Sequence, residues 1–356
     1  MTIVYLIIAI LFFGILVIIH ELGHFSVAKA CNVRVEEFSV GMGPAVFQRE
    51  KGETKYSIRA IPFGGFCAMT GEDGESEDPR AFVNQAPWKR ILILCAGSFM
   101  NLVLGYLLVW VFFIGAKAFT APIIESFMDG CPYEATETTD GLKVGDRILS
   151  INGHRIYMYS DVSDFLSEGN GVYDITVERD GKKIRLEDFE MVRLEYEGQE
   201  NKMFGFTFGY EEATFPVKVR HSFGMTAEYG RWVWMGLHSL FSGEASVDDL
   251  SGPVGIVDMM AETGEQAESV SDAIFSLIYI GAFIAVNLAI MNMLPIPGLD
   301  GGRLFLLIVT WIIEKITGHK LDPKYEAYIN GAGMLLLLAL MAFIMFNDVV
   351  RIFKGV

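Results

Sequence analysis

Four long apolar runs, separated by polar sequence, dominate the hydrophobic pattern of the chain. They cover about Thr2 to Ala30, Trp88 to Ala118, Ser271 to Leu294 and Gly331 to Phe346. A helix rises about 1.5 Å per residue, so the first three runs are long enough to cross a hydrocarbon layer of about 30 Å. The pattern therefore predicts an α-helical membrane protein with about four transmembrane helices.

The third apolar run ends at a break that a helix cannot pass. Pro295 and Pro297 are followed by glycines up to Gly302. Proline lacks the backbone N–H and clashes with the preceding turn, so the helix must stop. We expect it to resume from about Arg303 to Ile316, and the break between the two helices carries an aspartate, Asp300.

Between the first two runs, polar and apolar positions alternate in the manner of strands. Short strands are expected over Val35 to Val40, Ala45 to Arg49 and Thr54 to Pro62. A glycine-rich hairpin directly after a membrane helix can dip into the interface, where it needs protein or a wet cavity around it. We expect a membrane-associated β-hairpin region that contains Gly64 and Gly65; the alternative is an ordinary cytosolic loop.

The chain between the second and third runs predicts a compact α/β module over 119–212. Its strands flank an Asn-Gly turn at Asn152 and an Asp-Gly turn at Asp180, and Ser160 is expected to cap a short helix that ends near Ser167. Residues 213–270 follow as an interfacial helix and linker. They contain a Trp-bearing helix over Ser222 to Leu240 and a loop over Leu250 to Gly255.

Composition and charge support this division. The 356 residues are 52% apolar with a net charge of −16, and the mean hydropathy is +0.37. Residues 119–271 hold 12 Lys and Arg against 28 Asp and Glu, while the segments on either side are balanced. The acidic middle is therefore water-exposed, between membrane regions over 1–118 and 271–356. No basic face is present to neutralise phosphates, so nucleic acid is not expected as a partner.

Loop charges predict the orientation in the membrane. Lys and Arg side chains concentrate in the connection 31–90 and recur at Lys320 and Lys324, which favours a cytoplasmic position for both connections. The acidic module would then be outside, although Arg351 and Lys354 argue mildly against this scheme. The first run is too long, and too poor in basic flanking residues, for a removable signal peptide.

The four cysteines predict no metal or disulfide motif. They form no Cys-x-x-Cys pair, and free thiols are expected for Cys31, Cys67, Cys95 and Cys131.

The candidate chemistry begins in the first run, where His20-Glu21-Leu22-Gly23-His24 places three ionisable side chains inside a membrane-length helix. Histidines four residues apart project from one helical face, because 3.6 residues complete a turn. That face can hold one metal ion, and Glu21 can reach a water on it. An uncompensated charge at the bilayer centre costs roughly 2.5–3.5 kcal/mol, so a zinc site is the simplest explanation.

A catalytic zinc keeps three protein ligands and one water, so a third ligand is required. Asp300 is the natural candidate, because a carboxylate at membrane depth needs a charge partner. Its alternative role is to cap the helix that starts at Gly301. Asn101 shares a helical face with Gly97 in the second run and is expected to face the bundle interior, either to bind substrate or only to join helices.

These residues resemble a known family. His20-Glu21-Leu22-Gly23-His24 and Asn292-Met293-Leu294-Pro295-Ile296-Pro297-Gly298-Leu299-Asp300-Gly301 look like the paired signature of the site-2 protease family, intramembrane zinc metalloproteases that cleave transmembrane substrates. The stretch Gly141 to Gly153 is similar to a bacterial PDZ domain of permuted strand order. Its insertion resembles the bacterial branch, the regulators of sigma-factor proteases. Some relatives carry two tandem PDZ domains, whereas this chain has one.

The resemblance implies an intramembrane zinc metalloprotease in which Zn²⁺ is bound by His20, His24 and Asp300. It further implies that Glu21 is the general base and that Asn292 helps to hold the substrate backbone. We expect Gly64 and Gly65 of the hairpin and Asn101 to contact the substrate as well. The expected partners are the lipid bilayer and a transmembrane protein or peptide, such as an anti-sigma factor or a remnant signal peptide. The expected place is the bacterial inner membrane. An extracytoplasmic PDZ domain would contact the substrate or its C-terminus, or exclude bulky substrates.

Three other interpretations stay open from the residues alone. Two histidines and one carboxylate also hold Fe(II) in oxygenases, although Glu21 favours hydrolysis. A metal transporter should have more intramembrane ligands than these. A non-catalytic membrane scaffold that works through its PDZ domain would have no need of Glu21.

Overall fold

The structure is a computed structural model that describes residues 2–72, 74–136, 140–196, 201–243, 252–319, 322 and 324–354. Its helices are α1 (Thr2–Ala30), α2 (Pro87–Phe112), α3 (Tyr159–Glu168), α4 (Phe215–Ser242), α5 (Pro253–Gln266), α6 (Val270–Met291), α7 (Asp300–Thr317) and α8 (Lys324–Lys354). Its strands are β1 (Val35–Lys51), β2 (Thr54–Met69), β3 (Ala118–Phe127), β4 (Arg147–Ile151), β5 (His154–Arg155), β6 (Val172–Arg179), β7 (Lys182–Glu190) and β8 (Phe206–Glu212).

Four of these helices are long and apolar enough to cross a membrane, as the hydrophobic pattern predicts. The qualifying segments are Ile7–Ala30, Pro87–Phe112, Val270–Met291 and Lys324–Arg351. Together with the β-sheets they identify a multi-pass α-helical membrane protein.

The chain divides into two compact units, of which the first comprises Met1–Phe112 and Tyr229–Val356. In it, α2 packs against α1, α6 and α7, and α5 packs against α1 and α6. Leu16 of α1 and Leu277 and Ile284 of α6 share a buried apolar cluster. The two-stranded sheet of β1 and β2 lies in the same unit and contacts α1.

The second unit, Phe113–Glu228, is built on a six-stranded sheet. The strand order is β7-β6-β4-β3-β8, with β5 paired to β4, and neighbouring strands are antiparallel. Asp146, at the turn before β4, is fully buried and accepts two hydrogen bonds of 2.7 Å from Arg179. Lys143 N–H donates to the same carboxylate, so this bidentate pair fixes the turn to β6.

The second apolar run does not stay helical to Ala118. The helix α2 ends at Phe112, a turn through Gly115 follows, and Ala118 is already paired with Glu212 in the sheet. Sheet pairing therefore takes over the last residues of a run that sequence alone assigns to a membrane helix.

The fourth helix is longer than its apolar run at both ends. At the start of α8, Glu326 accepts a hydrogen bond from Thr310 and forms an ion pair with Arg90 at 3.5 Å. Near its end, Asp348 is only 3% exposed. Polar partners in the same unit therefore carry the helix beyond the apolar stretch.

Two local expectations in the middle of the chain are wrong. The loop expected over 250–255 is helical from Pro253, where α5 begins; residues 250 and 251 lie outside the described part. Proline at the first helical position is compatible with a helix start, which is the signal that was missed. Ser160 does not cap α3, because its hydroxyl donates to Glu228 while Asp161 accepts from the Tyr157 and Met158 N–H groups.

Asp348 connects α8 to the start of α5. Its carboxylate accepts hydrogen bonds from Gly252 N–H at 3.2 Å and from Gly255 N–H at 2.9 Å. A buried carboxylate at a helix N-terminus satisfies donors that have no partner within the helix and complements the helix dipole.

We predict that Asp348→Leu destabilises the protein by about 1–3 kcal/mol, because it leaves buried N–H groups without acceptors. Thermal unfolding of the full chain in detergent measures the effect. Glu262→Leu is the matched control, since it removes an exposed acid from α5. Equal unfolding midpoints for the two variants would show that Asp348 does not hold α5.

Candidate active site

Three side chains from distant parts of the sequence converge on one point. His20 Nε2 and His24 Nε2 lie 3.1 Å and 3.2 Å from Asp300 Oδ2, and the two imidazole nitrogens are 3.1 Å apart. The side chains are 11%, 8% and 20% exposed. Within the described residues this is the one group of three or more His, Cys, Asp or Glu that is close enough for a metal.

The geometry fits a zinc ion. Tetrahedral bonds of about 2.0–2.1 Å place neighbouring ligand atoms about 3.3 Å apart, close to the separations found here. His24 Nδ1 donates to the Ile93 carbonyl at 2.8 Å, so its Nε2 carries the lone pair that faces the site. Two imidazoles and one carboxylate leave the fourth position open, as catalytic zinc requires.

Glycines allow the helices that carry this group to approach closely. A Cβ on Gly23 would lie 2.8 Å from the Ala96 carbonyl carbon, so α1 and α2 meet backbone to backbone. A Cβ on Gly97 would collide with both histidine rings, at 2.6 Å from His20 Cε1 and closer still to His24 Nε2. Gly97 therefore lies at the contact between α1 and α2, directly at the two histidines.

The break after α6 brings Asp300 to the histidines. Gly301 N–H donates to the Asn292 carbonyl at 2.7 Å, which closes the irregular segment into a compact loop. A Cβ on Gly302 would lie 2.8 Å from Pro297 N, so the loop folds directly onto the start of α7. Asp300 is the first residue of α7 and its side chain makes no cap; the N-cap position belongs to Leu299. The capping role considered for Asp300 is therefore wrong.

Glu21 lines the same cavity as His20, His24 and Asp300. The cavity has a volume of about 670 Å³ and is also lined by Phe66, Cys67, Ala68 and Met69 of β2. The Glu21 carboxylate makes no hydrogen bond with the described residues. A carboxylate next to the open ligand position is therefore available to a water molecule.

The end of β2 presents an open edge to this cavity. The first part of β1 lies between two segments of β2. Residues 65–69 pair with one edge of it, for example Cys67 with Phe38, and the segment that contains Tyr56 pairs with the other edge. Among the described strands, none pairs with the second edge of 65–69. A Cβ on Gly65 would lie 3.6 Å from Glu21 Cγ, so this edge runs beside the carboxylate.

The expected substrate-binding residues occupy three kinds of position. Gly64 and Gly65 directly precede the stretch of β2 that lines the cavity but are not part of its lining, and Gly64 has φ of +83°, which favours glycine. Asn292 is half-buried at the end of α6, and its side-chain amide has no partner in the described part of the chain. Asn101 is 1% exposed and does not line the cavity. It contacts His20 instead.

Two features of the site were missed by sequence reasoning. Arg303 forms an ion pair with Glu72, and both side chains line the cavity. Glu72 also accepts from Met69 N–H, which fixes the end of β2. A basic residue three positions after Asp300, on the same helical face, was the available signal. No sequence signal could have identified the Ile93 carbonyl as the partner of His24, because every residue has a backbone carbonyl.

The thiol prediction is confirmed, since all four cysteines are free.

The comparisons with known proteins agree with this geometry. The profile of peptidase family M50 matches residues 8–340. A Clostridium acetobutylicum protein, provisionally named as a zinc metalloprotease, is 35% identical, with 97% of each chain covered. The regulator of sigma-W protease RasP of Bacillus subtilis is 30% identical, with 97% of this chain and 98% of its own length covered. The zinc metalloprotease RasP of Bacillus licheniformis is 29% identical over the same shares.

These likenesses decide between the interpretations that the residues left open. A family of zinc-dependent peptidases supports hydrolysis rather than oxygenation, metal transport or a purely scaffolding role. The apolar helices add that the enzyme works as a multi-pass membrane protein. The chain belongs to peptidase family M50, the site-2 proteases, and is an intramembrane zinc metalloendopeptidase.

Proposed function

We propose that His20, His24 and Asp300 hold the zinc ion of this peptidase and that Glu21 is its general base. The observation that carries the assignment is the convergence of the three donor atoms within 3.2 Å of one another. Zinc bound there supplies Lewis-acid activation of a water molecule and of the scissile carbonyl. Glu21 takes the proton of the attacking water and delivers it to the leaving amine.

We further propose that the substrate is a transmembrane segment that unwinds before it is cut. Backbone carbonyls in a membrane helix are engaged in hydrogen bonds to N–H groups four residues on, so an intact helix hides its peptide bonds. The open edge of residues 65–69 offers backbone partners to an extended chain beside Glu21. The unpartnered Asn292 amide offers a further donor and acceptor.

The name of the Bacillus subtilis relative supports regulators of a sigma factor as one substrate class. Remnant signal peptides are a second class with the same chemistry, since they too are apolar helices in the membrane.

We also propose that the second unit is a PDZ-like module on the extracytoplasmic side. Support comes from its antiparallel sheet, in which β7 and β8 are edge strands, and from the Asn-Gly turn between β4 and β5. An edge strand can bind an extended peptide such as a substrate C-terminus. The basic connection 31–90 supports a cytoplasmic position for the opposite face.

Glu21→Gln should abolish cleavage of a model transmembrane peptide while the zinc content stays near that of the wild type. The amide cannot take a proton, whereas the three ligands are untouched; loss of a general base typically costs about 10²–10⁴ in rate. Cleavage by the full-length enzyme in detergent or liposomes is measured alongside metal analysis. Wild-type rates in Glu21→Gln would eliminate the assigned base and revive the scaffold interpretation.

The variants Cys67→Pro and Ala68→Pro should distinguish damage to the sheet from loss of pairing with the substrate, when zinc binding and cleavage are measured for each. Neighbouring residues of a strand turn their N–H groups to opposite edges, so one proline removes a bond to β1 and the other removes a donor from the open edge. We expect at least one of the two variants to bind zinc normally and cleave slowly.

The matched controls are Gln48→Pro and Arg49→Pro. They lie on the exposed part of β1, away from the lining of the cavity. If proline at 67 and 68 changes cleavage no more than proline at 48 and 49 does, the open edge does not bind substrate.

Replacing 121–209 by a two-residue Asn-Gly turn should widen the range of substrates. Thr120 and Tyr210 are cross-strand partners in β3 and β8, so a two-residue hairpin can join them. If the second unit excludes bulky substrates, its removal admits substrates with large extracytoplasmic domains. The measurement compares the cleavage rates of two substrates, one with and one without such a domain. An unchanged preference in a folded, active variant would contradict this exclusion.

A further inference from the structure

Asn101 is a polar residue of α2 that lies beside a metal ligand and is almost fully buried. Its Nδ2 is 3.4 Å from His20 Nδ1, and its Oδ1 is buried and has no hydrogen-bond partner among the residues that the structure describes. A buried carbonyl oxygen that is left unsatisfied has lost its hydrogen bonds to water without a replacement. The position of this amide therefore needs a physical explanation.

The neighbouring ligand shows what His20 requires. His24 Nδ1 donates to the Ile93 carbonyl, which leaves the lone pair of Nε2 for the metal. His20 presents its Nε2 to the same point, so its Nδ1 must carry the proton and needs an acceptor. An amide nitrogen cannot accept that proton, but the amide oxygen of Asn101 can.

Rotation of the Asn101 amide by 180° exchanges oxygen and nitrogen with almost no change of shape. It brings Oδ1 to His20 Nδ1, where the oxygen can accept the imidazole proton, and it moves Nδ2 to the position in which Oδ1 has no partner among the described residues. The alternative, with Nδ2 as the donor to Nδ1, would place the imidazole proton on Nε2. That proton would point at Asp300 Oδ2 and at the place of the metal.

We infer that Asn101 is a positioning residue that accepts a hydrogen bond from His20 Nδ1 and holds the Nε2 lone pair toward the zinc ion. The inference rests on the proposed zinc site and replaces the expectation that Asn101 contacts substrate.

The spacing along α2 supports this role. Ile93, Gly97 and Asn101 are four residues apart and therefore share one helical face. Ile93 meets His24, a side chain on Gly97 would meet both rings, and Asn101 meets His20. One face of α2 thus contacts both histidines of α1, and the glycine between Ile93 and Asn101 leaves room for the two rings.

Zinc affinity of the full-length protein in detergent tests the inference, by titration against a chromophoric chelator. Asn101→Leu keeps the size and removes the acceptor, and we expect about 10–100-fold weaker zinc binding. Asn101→Asp keeps an acceptor oxygen and should recover most of the affinity. The visible spectrum of bound Co²⁺ should change in Asn101→Leu and resemble the wild type in Asn101→Asp.

Ser98→Ala is the matched control, because it removes another buried side-chain oxygen without a partner from the same helix. It should bind zinc like the wild type. If Asn101→Leu does not fold, Asn101→Ala goes through the same titration with the same expected loss.

Two results would overturn the inference: wild-type zinc affinity and Co²⁺ spectrum in the apolar variant, or a loss in Asn101→Asp as large as in Asn101→Leu. His24→Ala distinguishes a failure of the zinc site itself. Undiminished zinc binding in His24→Ala would refute the proposed site. Loss there together with unchanged binding in Asn101→Leu would refute only the role of Asn101.

Discussion

The structure depends on bringing three polar side chains together inside an apolar helical unit. Each of them would be costly to bury alone, because a charge or an unsatisfied polar group in this environment loses its hydration. The cost is offset only if donor and acceptor atoms meet at ion-binding distance, as His20, His24 and Asp300 do. A small displacement of α1, which carries the histidines, or of α7, which carries Asp300, would leave buried polar groups unpaired. The packing of α1, α2 and α7 is therefore most tightly constrained at the point where these three polar side chains meet.

Glycine is the residue that makes this packing possible, through its volume rather than its flexibility. At Gly97 the space that a methyl group would take is occupied by the two imidazole rings, and at Gly23 it is occupied by the backbone of α2. Because the helices touch at these points, the Ile93 carbonyl comes within 2.8 Å of His24. Helix association and orientation of the ligands are thus one interaction, and neither can be changed without the other.

Sequence reasoning found the parts of this arrangement that are written locally. A pair of histidines at helical spacing, a carboxylate on a proline-glycine break and four apolar runs are each visible within about thirty residues. It missed some local signals, such as Pro253 at the start of α5, but most of what it missed depends on residues that are distant in the sequence. Asp348 extends α8 because α5 begins beside it, and Glu72 meets Arg303 across 231 positions. The end of α2 was misplaced because β8, almost a hundred residues later, takes Ala118 into a sheet. The hydropathy of neighbouring residues cannot show that a segment at the end of a helix will pair with a distant strand instead.

The broken helix and the open strand edge answer the same physical problem. Irregular backbone at membrane depth needs hydrogen-bond partners that lipid does not supply. In the protein, the break after α6 is closed by Gly301 N–H on the Asn292 carbonyl. A substrate that unwinds for cleavage exposes the same groups, and the free edge of β2 lies in the wall of the cavity that holds Glu21. A sheet edge that elsewhere would invite aggregation here lies beside His20, His24 and Asp300, where it is available to the unwound substrate that we propose.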